Sequence, residues 1–257
     1  VTPFVWPLPI WSILGGVLGA IVGSFIANCI LRWPQGRSAL GGRSACDGCG
    51  RTLGPLELVP LLSATLQRGT CRACGARIDP LHWQVELLCA AAGAILLYLM
   101  PNIAGLGAFV LALFLIPLAI LDWRHFWLPD KLTLPLAFLG LTLGQWVTDV
   151  SMPARIIGAV TGYLSLLAIS VTYKKIRGRE GLGLGDAKLL GALGAWFGWQ
   201  SLPFLLLIAS LLGLLAVAAA TCAHFAVNMT TRIPLGTFLC LAAAPAWLVV
   251  RLVLIPT

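Results

Sequence analysis

The sequence predicts an all-α polytopic membrane protein with about eight transmembrane helices and one water-exposed loop domain. Three observations carry this expectation. Of 257 residues, 59% are hydrophobic and only 10% are charged; soluble domains hold about half apolar and a quarter charged residues. The mean hydropathy is +0.95. The polar residues are concentrated in one block, 35–82, and apolar runs occupy most of the remainder. So few charges cannot cover a compact soluble fold, and disordered chains are poor in apolar residues. At about 20 residues per crossing, the length accommodates seven or eight spans and a modest loop domain.

The elements follow in order. A first span is expected from about Ile10 to Leu31, closed by Arg32. Its apolar stretch has no positive leading region and no small-residue cleavage site, so it reads as a retained span. Residues 35–82 hold Arg37, Arg43, Arg51, Arg68, Arg72 and Arg77 with many Gly and four Cys. Hydropathy resumes at Trp83 and runs to Met100, and Pro101-Asn102 marks a turn. Further spans are expected at about Gly105–Leu121, Leu132–Val147 and Ala154–Tyr173, then a shorter apolar helix from Asp186 to Trp199, then Pro203–His224 and Gly236–Leu254. The expected division is a first helix over 1–34, the four-cysteine domain over 35–82, and a transmembrane core over 83–257.

Charge sets the expected orientation. Lys and Arg number 17 against 9 Asp and Glu, a net charge of +8. With the cysteine loop on the cytoplasmic side, the segments 32–82, 122–131, 174–188 and 224–235 also face inward, and only Arg155 and Arg251 of the basic residues lie outside them. That asymmetry is the positive-inside pattern. It accounts for the basic excess through the lipid bilayer, and no nucleic-acid partner is expected.

Four of the eight cysteines form Cys46-x-x-Cys49 and Cys71-x-x-Cys74, and each pair is followed by Gly, Gly50 and Gly75. Such turns aim two sulfurs at one ion. Four thiolates suit a closed tetrahedral zinc site, structural because no position is left for water. Two disulfides would be the alternative, which a cytoplasmic loop disfavours. Cys29, Cys89, Cys222 and Cys240 stand singly in apolar runs and read as small buried hydrophobes.

The nine acidic residues can be taken singly. Asp47, Glu57 and Asp79 lie in the polar loop and are expected to be solvated. Glu86 sits a turn inside the second span, Asp149 follows the fourth, and Glu180 stands among basic residues. Asp130, after Pro129, reads as a helix cap. Asp122 ends the apolar run Phe114–Leu121, and Asp186 opens the short helix; both are expected at the same, cytoplasmic, depth. A carboxylate at a membrane boundary is costly to bury. Two that approach each other share a proton: the ionised one takes a proton from water, and the protonated one polarises a peptide carbonyl. The plainer readings are an interfacial Asp122 paired with Arg124 or Lys131, and an Asp186 N-cap behind the alternating Gly181, Gly183 and Gly185. Lys188, two residues on, either biases the pair or snorkels. His82 and His125 read as interfacial side chains, and Trp33, Trp83, Trp123 and Trp127 as an aromatic belt.

Taken in order, these motifs resemble the type IV prepilin peptidases, bifunctional leader peptidases and N-methyltransferases of type IV pilus and type II secretion systems. The resemblance rests on Gly23-Ser-Phe-Ile to Pro34, the cysteine loop from Arg43-Ser44 through Cys74 and on to Val85-Glu86, Leu121-Asp122 to Pro129-Asp130-Lys-Leu-Thr133, and Gly183-Leu-Gly185-Asp186-Ala-Lys188. It implies that Asp122 and Asp186 are the catalytic pair, supported by Gly183, Gly185 and Lys188. It implies substrates with a short basic leader and a hydrophobic helix, cut after a Gly at the cytoplasmic face of the bacterial inner membrane. It also implies a second activity, methylation of the new N-terminal amine with S-adenosylmethionine, associated with the zinc-loop region. Two positions depart from the family pattern. Ala27 stands where Asn is usual, with Asn28 after it, and Ile233-Pro-Leu-Gly-Thr-Phe238 lacks the usual second Pro and Phe.

Two rival classes make different predictions. An ion-coupled transporter would place its carboxylates at the bilayer midplane and leave the zinc loop unused. A non-enzymatic assembly subunit would tolerate Asp122→Asn and Asp186→Asn.

Overall fold

The computed structural model describes residues 8–39, 41, 45–46, 48–54, 57–67, 69–178, 181–223 and 233–253. Arg43, Ser44, Asp47, Arg68, Arg179, Glu180, His224, Arg232 and Leu254 lie outside the described residues. Among the described residues the chain is helical, with two isolated antiparallel bridges and no strand. The helices are α1 (Leu8–Arg32), α2 (Leu62–Leu66), α3 (Leu81–Leu99), α4 (Ile103–His125), α5 (Asp130–Val147), α6 (Met152–Arg177), α7 (Leu184–Phe197), α8 (Leu202–Cys222) and α9 (Leu235–Val253). Within the described residues the runs marked by hydropathy are helical, and five stretches of them are long and apolar enough to cross a membrane: α1, α3, α4, α6 and α8. Of the others, α5 opens on Asp130 and Lys131. Helix α7 has 14 residues, which at about 1.5 Å per residue falls short of a hydrocarbon layer of about 30 Å.

The chain forms two compact units that divide inside α4, between Pro117 and Leu118. In the first, α1 lies along α3. Gly15, Gly19 and Gly23 recur every fourth residue and make one smooth stripe. A methyl group on Gly15 would run into the Gly93 carbonyl, and one on Gly19 into the Cys89 carbonyl. Small residues at this spacing let two apolar backbones touch, which is how helices associate where lipid removes the hydrophobic driving force. Ser12 Oγ donates to the Ala94 carbonyl at 3.1 Å across this seam. Ala27, Cys29, Ile30, Val85 and Cys89 are buried, while Ile13, Val17, Ile21 and Phe25 on the far side of α1 are exposed.

In the second unit α7 is the core. Almost every residue from Asp186 to Phe197 is buried. Helix α6 reaches it through Gly158 and Gly162, and α5 through Gly140, where a Cβ would stand 2.7 Å from Trp196 Cδ1. The Trp196 indole donates to the Leu136 carbonyl at 2.8 Å, and Thr148 Oγ1 donates to the Trp196 carbonyl at 2.9 Å. Helices α8 and α9 pack together, with Phe238 over Gly213.

Two sequence expectations are corrected here, for Cys222 and for Glu57 with Asp79. Arg155, expected inside the span that opens at Ala154, sits in the first turn of α6, 1% exposed, and donates to the Gly140 carbonyl at 2.8 Å. Burial is possible because Gly144 leaves room for the guanidinium beside α5. Cys222 is exposed, unlike buried Cys29, Cys89 and Cys240, because it is the last residue of α8. Glu57 and Asp79 are not merely solvated. Glu57 accepts from the Gly54 N–H and the Arg51 guanidinium, which hold its carboxyl below the usual range. Asp79 accepts from the Leu81 N–H at 2.8 Å and so starts α3.

Candidate active site and metal centre

The metal centre is built from two copies of one turn. Ala45 pairs with Thr52 around Cys46 and Cys49, and Thr70 pairs with Arg77 around Cys71 and Cys74. In each, the first cysteine N–H bonds the carbonyl five residues on: Cys46 to Arg51 and Cys71 to Ala76, both at 2.9 Å. The N–H of the Gly after the second cysteine returns to the carbonyl of the first, at 2.8 Å for Gly50 and 2.9 Å for Gly75. Both glycines have positive φ, 71° and 70°, which side chains resist.

The four Sγ atoms lie within 4.8 Å of one another, all as free thiols. Cys46 Sγ and Cys74 Sγ are 3.7 Å apart. A tetrahedron with metal–sulfur bonds of about 2.3 Å has edges of about 3.8 Å, so the residues present fit a four-thiolate metal ion. The backbone N–H groups of Cys74 and Ala73 pull the Cys71 thiol down to about 6, ready to bind as thiolate. The loop is tied to α3 by Glu86, which is buried and accepts from the Leu61 N–H at 2.8 Å. Leu61 has φ of 62°, an uncommon conformation for a branched residue.

The carboxylates lie in the second unit. Asp122 occupies the last turn of α4 and is 5% exposed; Asp186 occupies the first turn of α7 and is 9% exposed. The N-terminus of α9 closes on them. Thr237 N–H donates to Asp122 Oδ2 at 2.7 Å, and Thr237 Oγ1 stands 3.1 Å from the same oxygen and 3.0 Å from the Ala119 carbonyl. The Gly236 N–H faces both carboxylates. First-turn N–H groups have no partner within their own helix, so α9 can spend them on Asp122.

Asp186 does not cap α7. The helix starts two residues earlier, with extended Gly183 as its N-cap, and Asp186 reaches back toward the Gly183 N–H, as the third residue of a capping box does. Its Oδ1 is buried without a hydrogen-bond partner among the described residues.

Gly183 and Gly185 have different steric roles. A Cβ on Gly183 would stand 3.3 Å from Asp186 Oδ2, and one on Gly185 would stand 2.9 Å from Leu128 Cβ. Leu128 also fills the space at Gly236, where a Cβ would meet Leu128 Cδ1 at 2.7 Å and Asp122 Oδ2 at 3.0 Å. One buried leucine is thus wedged between the glycines of α7 and α9 beside the acids.

Lys188 turns away to a different acid: its Nζ pairs with Asp130 Oδ1 at 2.6 Å. Asp130 is the first residue of α5 and makes no side-chain cap. Trp123 packs edge-on against Phe238, and Trp123 and Trp127 are exposed. Gly236 and Thr237 are the residues that sequence reading missed. They lie 115 residues from Asp122 in the case of Thr237, and no spacing rule joins the start of one helix to the end of another at that distance. The only signal was that their segment departs from the family pattern.

Two buried carboxylates that share an amide donor can hold a single proton between them and do acid–base chemistry on water and a carbonyl. Comparison with known proteins identifies the family. The model of the type IV leader peptidase family matches residues 109–218, and that of the bacterial peptidase A24 N-terminal domain matches residues 17–100. A prepilin leader peptidase/N-methyltransferase of Burkholderia pseudomallei (strain K96243) is 38% identical over 255 residues, covering 89% of this chain and 82% of its own. Its namesake in Aeromonas hydrophila is 44% identical over 172 residues, covering 66% of this chain and 59% of its own. That of Dickeya chrysanthemi is 38% identical over 231 residues, with 80% and 82% covered. No solved structure matches. With relatives this similar along most of its length, the chain belongs to the prepilin leader peptidase/N-methyltransferase family.

Proposed function

We propose that the chain is an aspartyl endopeptidase that removes the leader of type IV prepilin-like proteins and then N-methylates the new N-terminus. The observation that carries the peptidase is the meeting of buried Asp122 and Asp186 under one amide, Gly236 N–H. Water attacks the scissile carbonyl while the ionised acid takes its proton, and the protonated acid polarises the carbonyl oxygen. Gly183 and Gly185 give the acids and Leu128 their space, and Lys188 acts at one remove by holding α7 to α5 through Asp130.

Cys46, Cys49, Cys71 and Cys74 would hold zinc, which supplies folding energy to the polar loop and takes no part in peptide cleavage. S-adenosylmethionine would supply the methyl group; among the described residues no donor set singles out its site, and no residue is assigned to it. In this reading residues 1–34 are the first span, 35–82 the zinc domain and 83–257 the membrane core. The protein is a multi-pass component of the bacterial inner membrane, with α7 as a short buried member of about eight membrane helices. The basic segments, the zinc loop and both acids face the cytoplasm. The substrate presents a basic leader to that surface and a hydrophobic helix to the lipid.

The test is cleavage of a prepilin-type substrate in membranes by the parent, Asp122→Asn and Asp186→Asn, with bound zinc measured in each. The expected result is a loss of at least about a thousandfold in both variants with zinc retained. Full activity in either would overturn the pair and favour the assembly-subunit reading.

A further inference from the structure

The two acids are held differently. Asp122 Oδ2 receives the Thr237 N–H at 2.7 Å, and the Thr237 hydroxyl lies 3.1 Å away. A backbone N–H can only donate, so this oxygen is an acceptor whatever else happens at the site. Thr237 is 7% exposed, and its hydroxyl also reaches the Ala119 carbonyl at 3.0 Å, which ties α9 to the last turns of α4. Asp186 also faces amides, the Gly183 N–H and the Gly236 N–H that it shares with Asp122, but its Oδ1 is buried and has no partner among the described residues. A donor fixed on a carboxylate favours its charged form, and a buried oxygen without a donor is where a carboxylic acid keeps its hydrogen.

We propose that Thr237 is a positioning residue that holds Asp122 as the base of the pair, leaving the shared proton on Asp186 Oδ1. The inference rests on the aspartyl reading above and deepens it. In the forward step Asp122 takes a proton from water, the water oxygen bonds the scissile carbonyl carbon, and Asp186 passes its proton to the carbonyl oxygen. The product is a neutral gem-diol, with Asp122 now protonated and Asp186 ionised. In the collapse Asp122 returns its proton to the amide nitrogen, the C–N bond breaks, and Asp186 recovers a proton from one diol hydroxyl. Both acids end as they began, and one water is consumed.

Among the described residues, the other ionisable groups near Asp122 are these. Asp186 comes from α7 and Cys240 from α9, and both interact with Asp122 electrostatically. Arg124 and His125 share its last helical turn and are exposed. Asp130 on α5 and Lys188 on α7 are paired with each other.

The experiment is steady-state cleavage of a prepilin-type substrate in membranes across pH by the parent and by Thr237→Ser, Thr237→Val and Thr237→Pro. Asp122→Asn and Asp186→Asn are run beside them. Valine keeps the shape and the N–H but loses the hydroxyl. Proline is tolerated in a first helical turn and removes both donors. The expected kcat falls are about tenfold for Thr237→Val and about a hundredfold for Thr237→Pro, with KM unchanged and Thr237→Ser within about threefold of the parent. The acid limb of the pH profile moves to higher pH in Thr237→Val while the alkaline limb stays, because only the step that ionises Asp122 loses a donor. Parent kcat in both Thr237→Val and Thr237→Pro overturns the proposal, as does movement of the alkaline limb alone. Cleavage by Asp122→Asn or Asp186→Asn would instead overturn the underlying pair.

Discussion

Cys49 and Cys74 are exposed, whereas Asp122 and Asp186 are buried, yet both sets need donor atoms held to within a fraction of an ångström. The cysteine site gains that precision locally. Each pair stands on a turn closed by its own backbone, with a glycine at positive φ, and a metal ion would join the two turns. The aspartate site has no such joiner. It depends on the end of α4, the start of α7 and the start of α9 meeting, with Leu128 wedged into the gaps left by Gly185 and Gly236. A metal-joined site tolerates exposure because its bonds are strong; a packing-joined site must be buried because its parts are held by many weak contacts.

The comparison can be broken most severely at the metal. Replacing Cys71 by Ser should abolish metal binding and expose residues 45–77 to protease, since binding energy in four-thiolate sites is folding energy of about 10 kcal/mol or more. Limited proteolysis and zinc content measure it. The second unit should keep its helices, and cleavage within it at the same protease dose would contradict the division into separately held sites.

The packing-joined site should be more sensitive to a single methyl group. Gly236→Ala places a Cβ 2.7 Å from Leu128 Cδ1 and 3.0 Å from Asp122 Oδ2. Overpacking costs about 1–3 kcal/mol and shifts the neighbours, so peptidase kcat should fall about tenfold to a hundredfold. Adding Leu128→Ala should restore part of the loss by emptying the crowded space. A double variant no better than the single one would show that the methyl acts on Asp122 directly.

Smaller effects sharpen the boundary between site and scaffold. Thr148→Val removes the hydroxyl that serves the Trp196 carbonyl and should lower stability by about 1 kcal/mol, read from thermal unfolding in detergent. Lys188→Met breaks an ion pair whose partners are 32% and 55% exposed, and should cost at most about 1 kcal/mol in the same assay.

Much of this was legible in the chain. The cysteine turns were readable because their hydrogen bonds span five residues and their glycines have one job. The helices were readable because an apolar run of membrane length has few other structures open to it. Asp122 and Asp186 stood out because acids are rare in such a chain. Less was legible where a residue's role depends on distant partners. Nothing local marked Arg155 as buried beside Gly144, and the N-cap alternative for Asp186 gives way to a place in the first turn behind Gly183. Lys188 reads as biasing the acids or snorkelling, and neither reading anticipates its pairing with Asp130.

By itself, then, the sequence determined the helical class, the four-cysteine cluster and the identity of the two exceptional acids, because composition, period and short spacing act within a few residues. Only the tertiary structure decided which donors each acid receives, which glycines make room for Leu128, and that Thr237 reaches Asp122 from 115 residues away. Those facts depend on which helix ends meet, and that is set by the summed packing of small and large residues along whole helices, which no local pattern records.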